Sequence, residues 1–179
     1  MKQLKNMQII GIDNGYGNLK TASGIFPASV LTLNHEPAYA QDLLIYDGKY
    51  HVIGSGHREF TPDKVSNPDH YVLTLVGIGQ ELWKNRMTKA RVYIAAGLPL
   101  TWVESQRESF RAYLLQNDHV DFIWRGIEYH VDIVGADVYA QGFSAIVPML
   151  KQFKGVNMLC DIGNGTMNIM TIQDRRAVM

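Results

Sequence analysis

Two short stretches, one near each end of the chain, bring together residue types suited to holding phosphate. "GIDNGYGNLK", residues 11–20, runs from an apolar strand through glycines and amides to a lysine. "CDIGNG", residues 160–165, repeats the device: Asp161, Gly163 and Gly165 match Asp13, Gly15 and Gly17 in spacing. Glycine reaches positive φ without a Cβ clash, so such turns can point successive backbone N–H groups into one concavity, an anion nest. Two nests facing each other would clamp a polyphosphate. The aspartates would repel that ligand unless a cation lay between, and Mg²⁺ fits, since it is held through one or two carboxylates together with phosphate oxygens and retained waters. Lys20 lies on the returning strand, where its ammonium could reach a phosphate oxygen. A single D-x-G-x-G is most often an ordinary hairpin with glycine at its corners. The pair, with a lysine after the first, favours phosphate binding. Neither copy is a Walker loop, which needs G-x-x-x-x-G-K-[ST] before a helix. Nor does either open a helix as a dinucleotide-binding fingerprint would.

These residues need strands and helices to carry them. "MQIIGID" reads as a buried strand, "NLKTAS" and "IFPASV" as its continuing meander, and "DLLIYDGKYHVIG" as a hairpin turning at Asp47-Gly48. Apolar residues recur at helical spacing from about Tyr71 to Arg86. "RVYIAAGLP" is a strand that stops at Gly-Pro. Thr101 and Glu104 have capping-box spacing for a helix running to about Gln116. "VDFIWRGIEYHVDIVG" pairs two strands around Arg125-Gly126, and residues from about Tyr139 to Phe153 form an apolar helix that Pro148 kinks or ends early. "VNMLCDIGNGTMNIMTIQ" closes the pattern as strand, glycine turn, strand. Strands alternating with long helices indicate α/β.

Composition narrows the function classes. The 179 residues carry 17 Lys+Arg and 17 Asp+Glu, so nothing argues for a broad electrostatic grip on nucleic acid or on an anionic membrane. No apolar run approaches the roughly 20 residues of a membrane span. The one cysteine, Cys160, excludes an internal disulfide, fits a reducing cytoplasm and reads as a small core residue. Six scattered histidines without H-x-x-x-H spacing leave a zinc site improbable. Trp83, Trp102 and Trp124 read as core or interface residues. A soluble cytoplasmic protein with a real core is expected.

"GIDNGYGNLK", "AAGLP", "AQGFSA" and "CDIGNGTMNIM" resemble, in order and spacing, the actin-like ATPases, most closely the plasmid-segregation actins of the ParM/StbA type. The resemblance covers essentially the whole chain. It implies an actin-like, ribonuclease H-like lobe: a mixed sheet flanked by helices, with residues 1–30 and 71–160 as its core and 31–70 as a small inserted subdomain. Residues 161–179 would be the second phosphate hairpin and the start of a further lobe. By the same resemblance the cofactors are ATP and Mg²⁺. Asp13 and Asp161 would stand on the metal side. Asn14, Gly15, Tyr16, Gly17, Asn18 and Lys20, with Gly163, Asn164, Gly165 and Thr166, would cradle the phosphates. Gln141, 20 residues before Asp161, matches the residue that aims the attacking water. Read by itself, Gln141 is a helix-start residue satisfying orphan N–H groups. The implied partners are further copies of the chain in a filament and a DNA-bound adaptor protein, with no direct contact to nucleic acid.

Some features depart from that pattern. Tyr16 stands where conventional actin has a small hydroxyl residue, so only the backbone of that loop carries over. Asn164 replaces a glycine or aspartate, a change the left-handed tolerance of asparagine permits. The resemblance supplies adenine and ribose contacts from a second lobe beyond Met179, which makes the chain look like a fragment that alone binds nucleotide poorly and exposes apolar surface. Two other functions share the motifs: a sugar-type small-molecule kinase, in which Asp137 would be the candidate base, and a scaffold without turnover.

Overall fold

A computed structural model describes residues 1–56, 63–164 and 167–178. The chain forms β1 (Lys2–Leu4), β2 (Met7–Asn14), β3 (Asn18–Lys20), β4 (Ile25–Pro27), β5 (Val30–Leu33), β6 (Leu43–Tyr46) and β7 (Lys49–Ile53). Helix α1 (Asp69–Lys84) leads to β8 (Lys89–Leu98), and α2 (Leu100–Leu114) to β9 (His119–Trp124) and β10 (Ile127–Ala140). A single helical turn, α3 (Phe143–Ile146), and a 3₁₀ segment (Val147–Gln152) precede β11 (Val156–Ile162), β12 (Met167–Gln173) and β13 (Arg176–Val178). Among the described residues no helix is long and apolar enough to cross a membrane.

This is a mixed α/β fold. Ten strands form one sheet in the order β4-β3-β2-β8-β10-β9-β6-β7-β5, with β1 paired on β2; β11, β12 and β13 form a second sheet. The centre, β2-β8-β10, is parallel, and its neighbours are antiparallel. Period-2 alternation decides the faces: Val92, Ile94, Ala96 and Leu98 of β8 are buried against the helices. β4 and β5 end opposite edges of the large sheet, yet only Ala28 and Ser29 separate them. Three Cα steps span at most about 11 Å, so the sheet bends back upon itself. Helix α1 lies in that bend, in contact with β2, β3, β6 and β9, which is why every residue from His70 to Leu82 is buried. Gly79 permits the close approach: a Cβ there would meet the Trp124 ring at 3.0 Å.

Several expectations need correction. "IFPASV" is not one strand, because after Pro27 the chain crosses to the far edge. Helix α2 starts directly after Pro99, so Thr101 lies inside it and the Thr101–Glu104 box does not form; the Leu100 N–H donates instead to Asn168 Oδ1 at 3.2 Å. Tyr139 and Ala140 finish β10, paired with Gly97 and Leu98, so the apolar stretch is helical only over Phe143–Ile146 before Pro148 tightens it into 3₁₀ geometry. Cys160 is exposed, not core; Trp83, at 47% exposed, leaves only the interface half of its expectation.

Candidate functional site

The site forms where β2 and β8 stop pairing. Their ladder ends at Ile12–Ala96, and the strands diverge beyond it. In open parallel sheets such a fork at the carboxyl ends of strands is where ligands bind. One strand of the fork becomes the first hairpin: Asp13 pairs with Lys20 and Asn14 with Leu19 across the turn, closed by the Gly15 N–H on the Asn18 carbonyl at 3.0 Å. Alternation sends the two side chains at the end of β2 opposite ways. Asn14 turns inward, 3% exposed, and its Nδ2 donates to the His70 carbonyl at 3.2 Å. Asp13 turns into the fork. Its Oδ1 accepts from Gln141 Nε2 at 2.7 Å, and its Oδ2 lies 3.8 Å from the Lys20 ammonium.

The second hairpin arrives opposite. Asp161, one residue before the end of β11, pairs with Asn168 of β12. Gly163 and Asn164 follow; Gly165 and Thr166 lie outside the described residues. The two hairpins meet at Gly17, whose bare Cα faces the Asn164 side chain so closely that a Cβ would fall 2.8 Å from Asn164 Cγ. Between them is a cavity of about 430 Å³ bounded by Asp13, Gly15, Tyr16, Gly17, Asn18, Lys20, Gln141, Asp161, Gly163 and Asn164. All the described site residues expected from the sequence therefore converge except Asn14, which turns inward and lines neither this cavity nor the next. A second cavity of about 720 Å³ shares Asp13, Lys20, Gln141 and Asp161 and continues along Ala95, Gly97 and Tyr139. Asp137 lines neither cavity; its Oδ2 accepts from the Tyr139 hydroxyl at 3.3 Å. Burial first, and the Asp137 charge second, hold the Tyr139 phenol above its ordinary pKa, so it stays a neutral donor.

Gln141 follows β10 in a turn whose N–H donates to the Leu98 carbonyl at 2.8 Å. The next residue, Gly142, has φ +75° and packs on the Asp161 side chain, tying the Gln141 turn to the second hairpin.

Lys64 was not anticipated. It is 5% exposed, and its ammonium donates to the carbonyls of Asn14 at 2.7 Å and Gly97 at 3.1 Å. These are carbonyls of the two diverging strands, left without ladder partners at the fork, and the lysine satisfies both. Nothing in "PDKVSNP" announces a bridge across 50 and 33 residues of sequence.

The donor set suits Mg²⁺ with a polyphosphate. Asp13 and Asp161 supply two carboxylates, and among the described residues no group of three or more acidic, His or Cys side chains could hold a metal alone. A cation held through two carboxylates is completed by phosphate oxygens and water.

Residues 11–143 match the family model for the N-terminal domain of actin-like proteins. The fold is similar to that of the pSK41 ParM protein in its apo form, with TM-score 0.76 and 16% identity over 97% of this chain and 64% of that one. It is similar to an archaeal actin homologue, Ta0583, in complex with ADP, with TM-score 0.74 and 20% identity over 96% of this chain and 58% of that one. It is also similar to the filament structure of AlfA from the B. subtilis plasmid pLS32, with TM-score 0.73 and 13% identity over 96% of this chain and 68% of that one. The chain thus spans roughly three fifths of the length of the solved structures it matches. No curated protein matches it.

Proposed function

Because the chain belongs to the actin-like proteins and carries their N-terminal domain, we propose that it grips Mg-ATP between its two hairpins. On this reading it serves a cytoplasmic ATPase that polymerises to segregate a plasmid or another mobile element. The observation that carries the reading is the meeting of two D-x-G-x-G hairpins at Gly17 and Asn164 around a cavity holding Asp13, Lys20, Gln141 and Asp161. A similar fold in complex with ADP and another in a plasmid-encoded filament support it.

The roles follow from chemistry. Bound magnesium would supply charge neutralisation at the phosphates. Asp13 and Asp161 would hold it through water, and the backbone of residues 15–18 and 163–166 would cradle phosphate oxygens. Lys20 is half-exposed and only loosely paired with Asp13, so it is free to swing onto a phosphate. The Gln141 amide cannot take a proton, but phosphoryl transfer rests mostly on positioning and charge neutralisation, so aiming a water suffices. Its Nε2 is committed to Asp13, which leaves Oε1 as the acceptor for that water. Residues 31–70 we assign to a small subdomain and 161–179 to the approach to a further lobe. The partners in this reading are further copies of the chain and a DNA-bound adaptor.

A small-molecule kinase would use the larger cavity beside Gln141 for its acceptor. Asp137, the candidate base, does not line that cavity, and the two aspartates that do, Asp13 and Asp161, are assigned on the present reading to the metal. Light scattering of the longest natural form, followed after adding Mg-ATP until the nucleotide is exhausted, tests the choice. A rise followed by decay is expected. A flat trace with ATP demonstrably bound would exclude the filament and leave the kinase and scaffold readings.

A further inference from the structure

Gln141 is seated by a neighbour that has no side chain. Its own side chain lies along the end of β8, over Gly97: a Cβ at Gly97 would fall 2.8 Å from Gln141 Cγ, 3.6 Å from Cδ and 3.5 Å from Nε2. Backbone conformation does not explain this glycine, for its φ lies outside the left-handed region. A glycine inside a strand is less favourable than alanine, so its place there points to space. Neither can the strand recede to make room. Gly97 pairs with Tyr139 on one side, and its carbonyl is held on the other by the Lys64 ammonium that also holds Asn14.

We infer that Gly97, fixed by Lys64, is a positioning residue for Gln141, setting the height of the amide above β8 and so the aim of the Oε1 that receives the water. The inference rests on the reading of Gln141 as the water-aiming residue. Gly97 borders the larger cavity and not the one between the hairpins. A Cβ there therefore displaces Gln141 without entering the phosphate site. The Gln141 side chain borders both cavities and is held at its end only by the bond to Asp13, so Gly97→Ala moves the side chain and leaves the sheet intact.

The test compares Gly97→Ala, Gln141→Ala and the double variant in the longest natural form of the protein. Four quantities are read: phosphate release with Mg-ATP, affinity for a fluorescent ATP analogue, the melting temperature, and the Gln141 side-chain amide resonance in nucleotide-free protein. Gly97→Ala is expected to lower turnover by roughly 10- to 100-fold while leaving nucleotide affinity within about twofold. It should also shift the Gln141 amide resonance, because the bond to Asp13 is broken or lengthened. In the Gln141→Ala background the same change should cost no further turnover, since the clashing Cγ is gone. Should Gly97→Ala lower the melting temperature, adding Gln141→Ala should restore it. Unchanged turnover in Gly97→Ala beside a slow Gln141→Ala would overturn the seating and leave the role of Gln141 standing. A further loss in the double variant would also overturn it. Full turnover in Gln141→Ala would overturn both readings together.

Discussion

Asp13 is the residue on which the site converges, since both its oxygens are engaged by side chains proposed for other tasks. Replacing Gln141 by alanine should lower ATP turnover on the order of 100-fold while ATP-driven assembly persists, checked by phosphate release and light scattering on one sample. Glu81 offers a test independent of nucleotide. Its Oε1 accepts from the Ser23 N–H at 2.8 Å and the Ser23 hydroxyl at 2.6 Å, fixing the turn that follows the first hairpin. Burial alone would raise its pKa, but hydrogen bonds from Ser23 and Thr21 outweigh burial and hold it below the ordinary 4.5. A carboxylate with a depressed folded pKa contributes stability that is present above its unfolded pKa and disappears as pH falls through the folded one. Glu81→Gln should thus cost about 1.5–3 kcal/mol at neutral pH and flatten the acid limb of a melting-temperature profile. An unchanged acid limb would refute this. At this scale the aspartates, glycines, Lys20 and Gln141 were legible because their meaning lies in local spacing. Lys64 and the inward turn of Asn14 were not, because each depends on a partner at least 50 residues away.

Helix α2 shows how one element depends on another. It has no cap of its own, and Asn168 of the second hairpin supplies the acceptor for its first N–H. Asn168→Ala should cost about 1 kcal/mol, read as a lower melting temperature together with faster hydrogen exchange confined to the first turn of α2. Exchange raised uniformly would contradict that origin. Gly79→Ala in α1 should cost about 1–3 kcal/mol by overpacking, despite the higher helix propensity of alanine, because Trp124 and Phe122 stand against it. The central strands and α1 were readable from periodicity, whereas β1 and β13 were not expected. The start of α2 was not, because its cap comes from a strand 68 residues on and the local Thr-x-x-Glu spacing offered a decoy. The Tyr139–Phe153 stretch misled similarly: its apolar residues serve the end of a strand, a single helical turn and a 3₁₀ segment, and such a run does not reveal its period.

Taken as a whole, the strands of residues 31–70 are joined to the rest of the fold by backbone pairing. Through Leu44–Trp124 and Ile45–Ile123 they continue the main sheet, and the sheet folds round α1. Leu44, fully buried in that continuation, tests the unity of the fold. Leu44→Ala should cost about 2–5 kcal/mol and lower one cooperative melting transition, seen alike by far-ultraviolet circular dichroism and tryptophan fluorescence. An early, separate transition would show that these strands melt by themselves. The α/β class followed from the order of elements, but the bending did not, for no pattern within β4 or β5 records that they sit at opposite edges. The exposed apolar surface expected from the resemblance lies on the face of β11 and β12 that leaves Val156, Met158, Ile162 and Met167 open to solvent.

Cys160 belongs to that open face, one residue before Asp161, and alternation along β11 points the two side chains to opposite sides of the strand. As the only thiol in the sequence it is a single chemical address: a maleimide dye attached there would sit outside the cavity while riding on the strand that carries Asp161. The protein comes with a ready-placed reporter, one whose emission would follow the second hairpin as ligand arrives and leaves.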